Sequence, residues 1–378
     1  MSNPNRNNQL KGTYAIDNQT RQQDYYVFAG SYANAQQEGI QLLIFDTEHG
    51  SLKRLGAIAD VENPAFLALD PVRNRFFAVS EVVEGQVIAY SVDLQSGKIE
   101  EINRQSTQGA SPCHLSIDPT GSWLFTVNYT SGSVCLFPID EYGSIGPLAD
   151  FIQHRGSSTN LDRQKEPHPH SIFGYPNSSY LFVPDLGTDQ IYVYKFDTAE
   201  QKLKLITATP TTPGSGPRHL AFHPSKPYVY IIQELASTVA VYAIDRDTFN
   251  LTLLQTISTL PSDFSGESMC ADIHISPCGQ FLYGSNRGDD SIATFGIVED
   301  GTLKWEGHTS TQGQAPRNFA LLPDGKHMLV ANQESDSIIV MSIDTDGVPI
   351  PTGEHYEMVK PVCLKVLSSL EKISKLFG

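Results

Sequence analysis

One motif returns along this chain at nearly even intervals, and that regularity restricts the fold more than any other feature of the sequence. A Pro is followed by five residues alternating about apolar positions, and a second Pro usually stands seven positions after the first. The copies are PAFLALDP from Pro64, PCHLSIDP from Pro112, PHSIFGYP from Pro169, PRHLAFHP from Pro217, CADIHISP from Cys270 and PRNFALLP from Pro316. A half-copy, PVCLKVL, starts at Pro361. The intervals of 48, 57, 48, 53, 46 and 45 residues sit close to the ~40 to 50 of a four-stranded propeller blade. Each unit therefore predicts one blade.

Within a unit, the turn after the second Pro (DPTGSW, HPSKPY, SPCGQF, LPDGKH) carries residues that preset turn dihedrals. A second strand follows, rich in β-branched and aromatic side chains: RFFAVSE, WLFTVNY, YLFVPDL, YVYIIQE, FLYGSNR and HMLVANQ. A Gly- or Asp-bearing turn leads to a third strand, such as GQVIAYSVD or DSIIVMSID, and a looser fourth strand ends the unit. Residues 25 to 32 match a second strand and IQLLIFD from Ile40 a third, yet no first strand precedes them. PVCLKVL supplies it, so residues 25 to 32 should pair with residues 361 to 367 and close the ring, leaving no open sheet edge. The expected fold class is all-β, a seven-bladed β-propeller over residues 25–368. Residues 1–24 are predicted to be a mobile polar tail, and residues 369–378 a tail or short helix, because Leu370, Ile373 and Leu376 recur at helical spacing.

Composition excludes several function classes. In 378 residues, 42 acidic against 26 basic side chains give a net charge of −16, which repels a phosphate backbone, so no nucleic-acid partner is expected. The polar start and the lack of a long apolar run predict neither a signal peptide nor a membrane span, hence no membrane partner and a cytoplasmic location. Five scattered cysteines without a C-x-x-C exclude a disulfide framework and a cysteine-rich zinc module. G-x-S-x-G, Walker and dinucleotide motifs are all missing.

First strands line the channel of a propeller, so residues that deviate at equivalent repeat positions mark candidate chemistry. The residue after the first Pro is Ala65, Cys113, His170, Arg218, Ala271 or Arg317 in successive units. The end of the second strand gives Glu81, Tyr129, Leu186, Glu234, Arg287 and Gln333, preceded in several units by Asn128, Asp185, Asn286 or Asn332. If both positions face one mouth, they form one ring. Any single arginine here would ordinarily be a surface or ion-paired group, the Asn and Asp residues ordinarily cap turns, and His114, His219 and His223 are readily structural. Convergence of Arg218, Arg287, Arg317, His170 and Glu234 favours a site for the set. His168-Pro-His170 is a weak metal pattern, and the oxygen ligands Glu81, Asn128, Asp185, Glu234, Asn286 and Asn332 are of the type Ca²⁺ accepts.

RQ-x-x-P-H-P-H from Arg163, DLGTD from Asp185, PGSGPRHLAFHP from Pro213, QEL from Gln233 and SNRGDDSIA from Ser285 resemble, in order and spacing, the propeller lactonase family. The resemblance runs from about Tyr25 to Leu367. It implies hydrolysis of a lactone such as 6-phospho-D-glucono-1,5-lactone without a metal or other cofactor, at a site falling on His170, Arg218, Glu234 and Arg287. Arg317, His219, Asp185, Asn128, Asn286, Gln333 and Glu81 are the expected substrate contacts. In that reading His170 is the base, Glu234 orients it or exchanges protons with it, and Arg218 faces an oxyanion or carboxylate. Arg287 and Arg317 hold a phosphate. The expected partner is a small phosphorylated or carboxylated lactone, and the expected assembly a monomer or weak homodimer. A lactonising isomerase of carboxylated muconates, a Ca²⁺-dependent sugar lactonase and a non-catalytic interaction propeller remain open alternatives.

Overall fold

A strand covered by a neighbouring sheet on both faces needs apolar side chains at every position, whereas one covered on a single face alternates. Both patterns are present. The second strand Arg75–Ser80 is buried along its whole length, and Trp123–Asn128, Tyr228–Gln233 and His327–Asn332 are buried at every residue after the first. The outer strands Lys202–Pro210 and Leu303–Ser310 alternate towards solvent. In the computed structural model, which describes residues 25–70 and 72–368, these strands form seven four-stranded antiparallel sheets. The first strands of successive sheets touch one another around a ring, and Pro361–Ser368 touches Leu67–Asp70 where the ring closes. The segments 1–24 and 369–378, expected to be tails or a short helix, lie outside the described residues. Among the described residues no helix is long and apolar enough to cross a membrane.

The closing blade is assembled as its repeat pattern requires. Tyr25–Ser31 pairs antiparallel with Pro361–Ser368, from Tyr25 opposite Ser368 to Ser31 opposite Pro361, and on its other edge with Ile40–Asp46. The core is a set of apolar layers between blades. Phe28, Phe76, Phe77 and Tyr90 fill one layer, and Tyr230, Leu282 and Phe295 another. Each such side chain is at most 1% exposed, and full burial contributes about 1.5–3 kcal/mol apiece.

One innermost strand departs from expectation. The third unit's first strand, expected from Pro169, keeps only Phe173–Gly174 as regular strand plus an isolated bridge from Pro169 to Asp185. Pro167 and Pro169 have no N–H for the ladder, and the buried Asp185 carboxylate accepts bonds from the backbone N–H groups of His168, Gly187 and Thr188 instead. Gly187 is required there. A Cβ at that position would stand 2.0 Å from the Glu166 carbonyl oxygen, so only glycine lets the 154–168 loop lie against the DLGTD turn.

Aspartates clip neighbouring blades together. Asp189, Asp290 and Asp336 occupy the turn between second and third strands with φ of 52°, 53° and 51°, a left-handed conformation that Asp tolerates better than most residues. Their carboxylates accept the N–H of Gly216 (2.7 Å), Ala315 (2.8 Å) and Lys360 (2.7 Å), each the residue just before the Pro that starts the next blade. This fixes where each first strand enters the channel.

Candidate active site

The residue after each of those prolines is placed by a β-bulge. The first-strand ladder runs from Pro112 to His114, from Pro217 to His219 and from Pro316 to Asn318, leaving Cys113, Arg218 and Arg317 without a partner opposite. A bulged residue is re-aimed out of the alternation of its strand; Cys113 and Arg317 turn into one mouth, and Arg218 is buried against Glu234. His170 joins them from the broken strand of the third blade, its N–H bonded to the Pro184 carbonyl (3.0 Å). Second-strand ends supply Glu81, Tyr129, Glu234 and Arg287 from the other side, so the two repeat positions do share one mouth. The cavity between them measures about 180 Å³.

Glu234 is the hub. Its Oε2 takes Arg218 Nε (2.9 Å) and Arg287 (2.9 Å), its Oε1 takes Arg163 (2.8 Å), and His170 Nε2 lies 4.0 Å from Oε2. Burial alone would raise the Glu234 carboxyl, but the guanidinium groups of Arg287, Arg218 and Arg163 outweigh it and hold the acid far below its ordinary range. Glu234 is therefore a fixed anion that organises three cations. The His170 ring is pushed well below its usual value, first by burial and then by the charges of Arg218 and Arg317, so it stands neutral with a free base at neutral pH. Burial also lowers Arg218 to about 10, followed by repulsion from Arg317 and Arg287.

Arg317 differs from the rest. Its guanidinium donates to the Tyr32 hydroxyl (2.7 Å) and lies 5.1 Å from the centroid of that ring, while Tyr32 in turn donates to Glu81 (2.9 Å). Among the described residues no carboxylate is within ion-pair distance of it. Burial raises the Glu81 carboxyl and Arg317 only partly offsets it. Four arginines thus face two carboxylates, one of which is biased towards its neutral form. Cys113, 3.8 Å from His170 Nδ1, has its thiol pushed up by burial and offers no thiolate at neutral pH.

Several residues named as substrate contacts are placed elsewhere. Asp185 is fully buried, bonding His154 Nδ1 (2.7 Å) besides its three backbone donors. Asn128 donates to the Thr107 carbonyl and Ser133, and Asn286 to the Thr259 carbonyl and Ser291; each ties its own blade to the segment leaving the outer strand of the preceding blade. Gln333 bonds its neighbour Glu334 and does not line the mouth. His219 lies deeper, its Nδ1 on Asp272 (2.8 Å) and its ring 5.5 Å from that of His170. The oxygen ring offered as a Ca²⁺ site consequently does not converge. Arg163, Tyr129 and Met269 line the mouth although they went unnamed as contacts. Arg163 reaches in from the loop that makes the second interval the longest, 57 residues, and Tyr129 accepts its second bond (3.1 Å). Tyr32 occupies the same repeat position as Glu81 in the closing blade, where extending the comparison would have found it.

Residues 26–366 match the model of a family described as Lactonase, 7-bladed beta-propeller. The chain is 32% identical to a Bacillus subtilis 6-phosphogluconolactonase, over 91% of this chain and 98% of that protein. It is 36% identical to a Formosa agariphila 6-phosphogluconolactonase with the same coverage of 91% and 98%. The structure of a Pseudomonas aeruginosa periplasmic gluconolactonase superposes with a TM-score of 0.86 at 34% identity, covering 91% of this chain and 99% of that one.

Proposed function

Because the chain belongs to the seven-bladed propeller lactonases, a family of lactone-hydrolysing enzymes, we propose that it hydrolyses 6-phospho-D-glucono-1,5-lactone to 6-phosphogluconate without a metal. The observation that carries this reading is Arg317, a guanidinium at the mouth whose side-chain partner is a hydroxyl and not a carboxylate. A cation held in a cleft with no carboxylate bonded to it among the described residues is stabilised by an anionic ligand, and a phosphate dianion meets its planar donors bidentately. A neutral sugar lactone gives Arg317 nothing to neutralise.

The chemistry follows from the neighbours. His170 Nε2 takes a proton from water as the oxygen attacks the lactone carbonyl. Arg287, pinned by Glu234, faces the oxyanion of the tetrahedral intermediate with donors that need not reorganise, and the buried Arg218 holds Glu234 in place. Collapse breaks the bond from carbonyl carbon to ring oxygen, and His170 returns its proton to that oxygen. The product acid then ionises, releasing one proton to solvent. A bound dianion also raises the depressed His170 basicity at the moment the base is needed. Glu234 is too weak a base to share that role. A sugar phosphate does not cross membranes unaided, so the cytoplasm is the compartment this reading requires.

The rival within the family is an unphosphorylated gluconolactone, which the Pseudomonas neighbour's name includes. Purified protein should turn over the 6-phosphorylated lactone with kcat/KM at least about tenfold above gluconolactone, a ratio equal to one 1.4 kcal/mol interaction, and should retain its rate in chelator. Equal kcat/KM for the two lactones, or turnover of a carboxylated muconolactone alone, would overturn the assignment.

A further inference from the structure

The channel has a second opening. A cavity of about 380 Å³ lies where the first strands run out into their turns, at the end away from Glu234. It is the larger of the two, and within the ~300–1,000 Å³ of small-molecule sites. Its walls are largely apolar, with Phe66, Phe173, Phe222 and Ile275 among the lining residues.

The polar side chains of Lys365, Asp272, His219, His274, Asn318 and Ser276 interrupt these walls. The Lys365 ammonium lies 4.2 Å from the centroid of the Phe66 ring and forms no ion pair among the described residues. The buried Asp272 carboxylate accepts His219 Nδ1 (2.8 Å), His274 Nε2 (2.9 Å) and the Asn318 amide. Burial alone would raise this acid, yet the His274 charge and the His219 bond outweigh it, so Asp272 stays ionised and already saturated. His219 is 3% exposed, lines the cavity, and has no hydrogen-bond partner at Nε2. Burial, then Arg218, lowers it to about 4, so that nitrogen is an open acceptor at neutral pH. Asp272 therefore fixes two rings of the wall, while Lys365 is left as an unneutralised cation.

These features select the ligand class. A strongly hydrated phosphate would lose its water against walls that are mostly hydrocarbon and recover one ammonium contact. A cation would meet Lys365 and find Asp272 already bonded. An anion with a single charge and a flat apolar body satisfies both the ammonium and the aromatic walls. We propose that this opposite mouth is a second small-molecule site, and that it takes an aromatic monocarboxylate with the carboxylate on Lys365 and the ring among the apolar side chains that line the cavity. The chain's net charge of −16 works against non-specific attraction of such an anion, so binding there must be local.

The test uses 4-fluorobenzoate as probe and ¹⁹F NMR on the full chain. Saturable one-site binding is expected, weakened about tenfold or more in Lys365→Met and equally by changing the probe to neutral 4-fluorobenzamide, the weight of one charge-assisted hydrogen bond. Arg317→Met, at the other mouth, should leave probe affinity unchanged. Circular dichroism and melting temperature identify a misfolded variant, and Phe66→Leu, which removes the ring without touching the charge, is then the second variant expected to weaken binding. Absence of saturable binding to the wild type overturns the proposal. So does equal affinity for benzoate and benzamide, or loss of binding in Arg317→Met with retention in Lys365→Met.

Discussion

Replacing Arg317 by Met isolates the charge that decides between phosphorylated and neutral substrates. Met keeps most of the side-chain volume while removing the guanidinium. Two charge-assisted bonds from Arg317 to a phosphate are worth about 1.5–3 kcal/mol each. Against them stands the bond Arg317 already makes to Tyr32, 2.7 Å long in the unliganded protein, which costs about 1 kcal/mol to give up. The net loss is therefore about 2–5 kcal/mol, or about 30-fold to several thousandfold in kcat/KM for the 6-phosphorylated lactone. Gluconolactone has no phosphate, so its kcat/KM should change by less than about threefold. Initial rates of proton release, corrected for spontaneous ring opening, give both constants for both substrates. The loss should fall mainly on KM, because the contact is present in ground and transition states alike. If Arg317→Met depresses both substrates equally, the residue acts through Glu81 and Tyr32 on the shape of the mouth, and the phosphate argument fails.

Other perturbations test other parts of the site. His170→Ala should lower kcat by about 10² to 10⁴, while Cys113→Ala, at the equivalent position of the preceding blade, should leave steady-state constants nearly unchanged; near-normal turnover in His170→Ala would remove His170 as base. Because His170 is held well below its usual value, the acid limb of kcat/KM against pH should lie below about 6.5, and a limb at or above that value would contradict the burial argument. Folding stability should decline as pH falls from about 6.5 towards 4: His170, His114 and His219 have depressed folded values, so the unfolded chain binds protons that the folded chain refuses. Calorimetry showing a melting temperature constant across that window would refute this. Asp189→Ala removes an acceptor of the Gly214 N–H (2.6 Å) and Gly216 N–H (2.7 Å) and should cost about 2–4 kcal/mol in urea unfolding, with Asp189→Asn costing less.

Blade number, closure and strand order were readable because they depend on which residues are apolar and how far apart the copies stand. PVCLKVL has no other strand to complete, and its pairing with Tyr25–Ser31 follows from that. The candidate mouth was readable for the same reason. Residues at one repeat position land on one circle, so Arg218 and Arg317 could be grouped before any distance was known. What the repeat could not convey was direction. Asp185 and Glu234 stand at neighbouring positions of the second-strand end, yet one carboxylate turns into its blade to bond His168, Gly187 and Thr188, and the other turns into the mouth to hold three arginines. A shift of one residue in a strand reverses the face, and a reading by composition treats both as acids at a strand end.

The bulges explain why the residue after each Pro serves chemistry instead of packing. In a regular ladder, Arg218 and His219 would point to opposite faces of the sheet, and an arginine there would be buried against the next blade. Because the ladder skips Arg218, its guanidinium reaches Glu234 while Leu220 still packs with Val229 and Ile231. The skip coincides with Pro217, and the entry point is clipped one residue earlier by Asp189 on Gly216. The same order recurs at Ala315, Pro316 and Arg317, where Asp290 makes the clip. Arg287 and Arg317 therefore reach the mouth by different routes. Arg287, at the end of a regular strand, has its guanidinium on Glu234 and the Cys270 carbonyl. Arg317, on a bulge, has the Tyr32 hydroxyl and ring as its partners among the described residues. Of the two arginines the sequence offered as phosphate anchors, the bulged one keeps its charge available, and Arg287 acts as part of the framework that Glu234 holds.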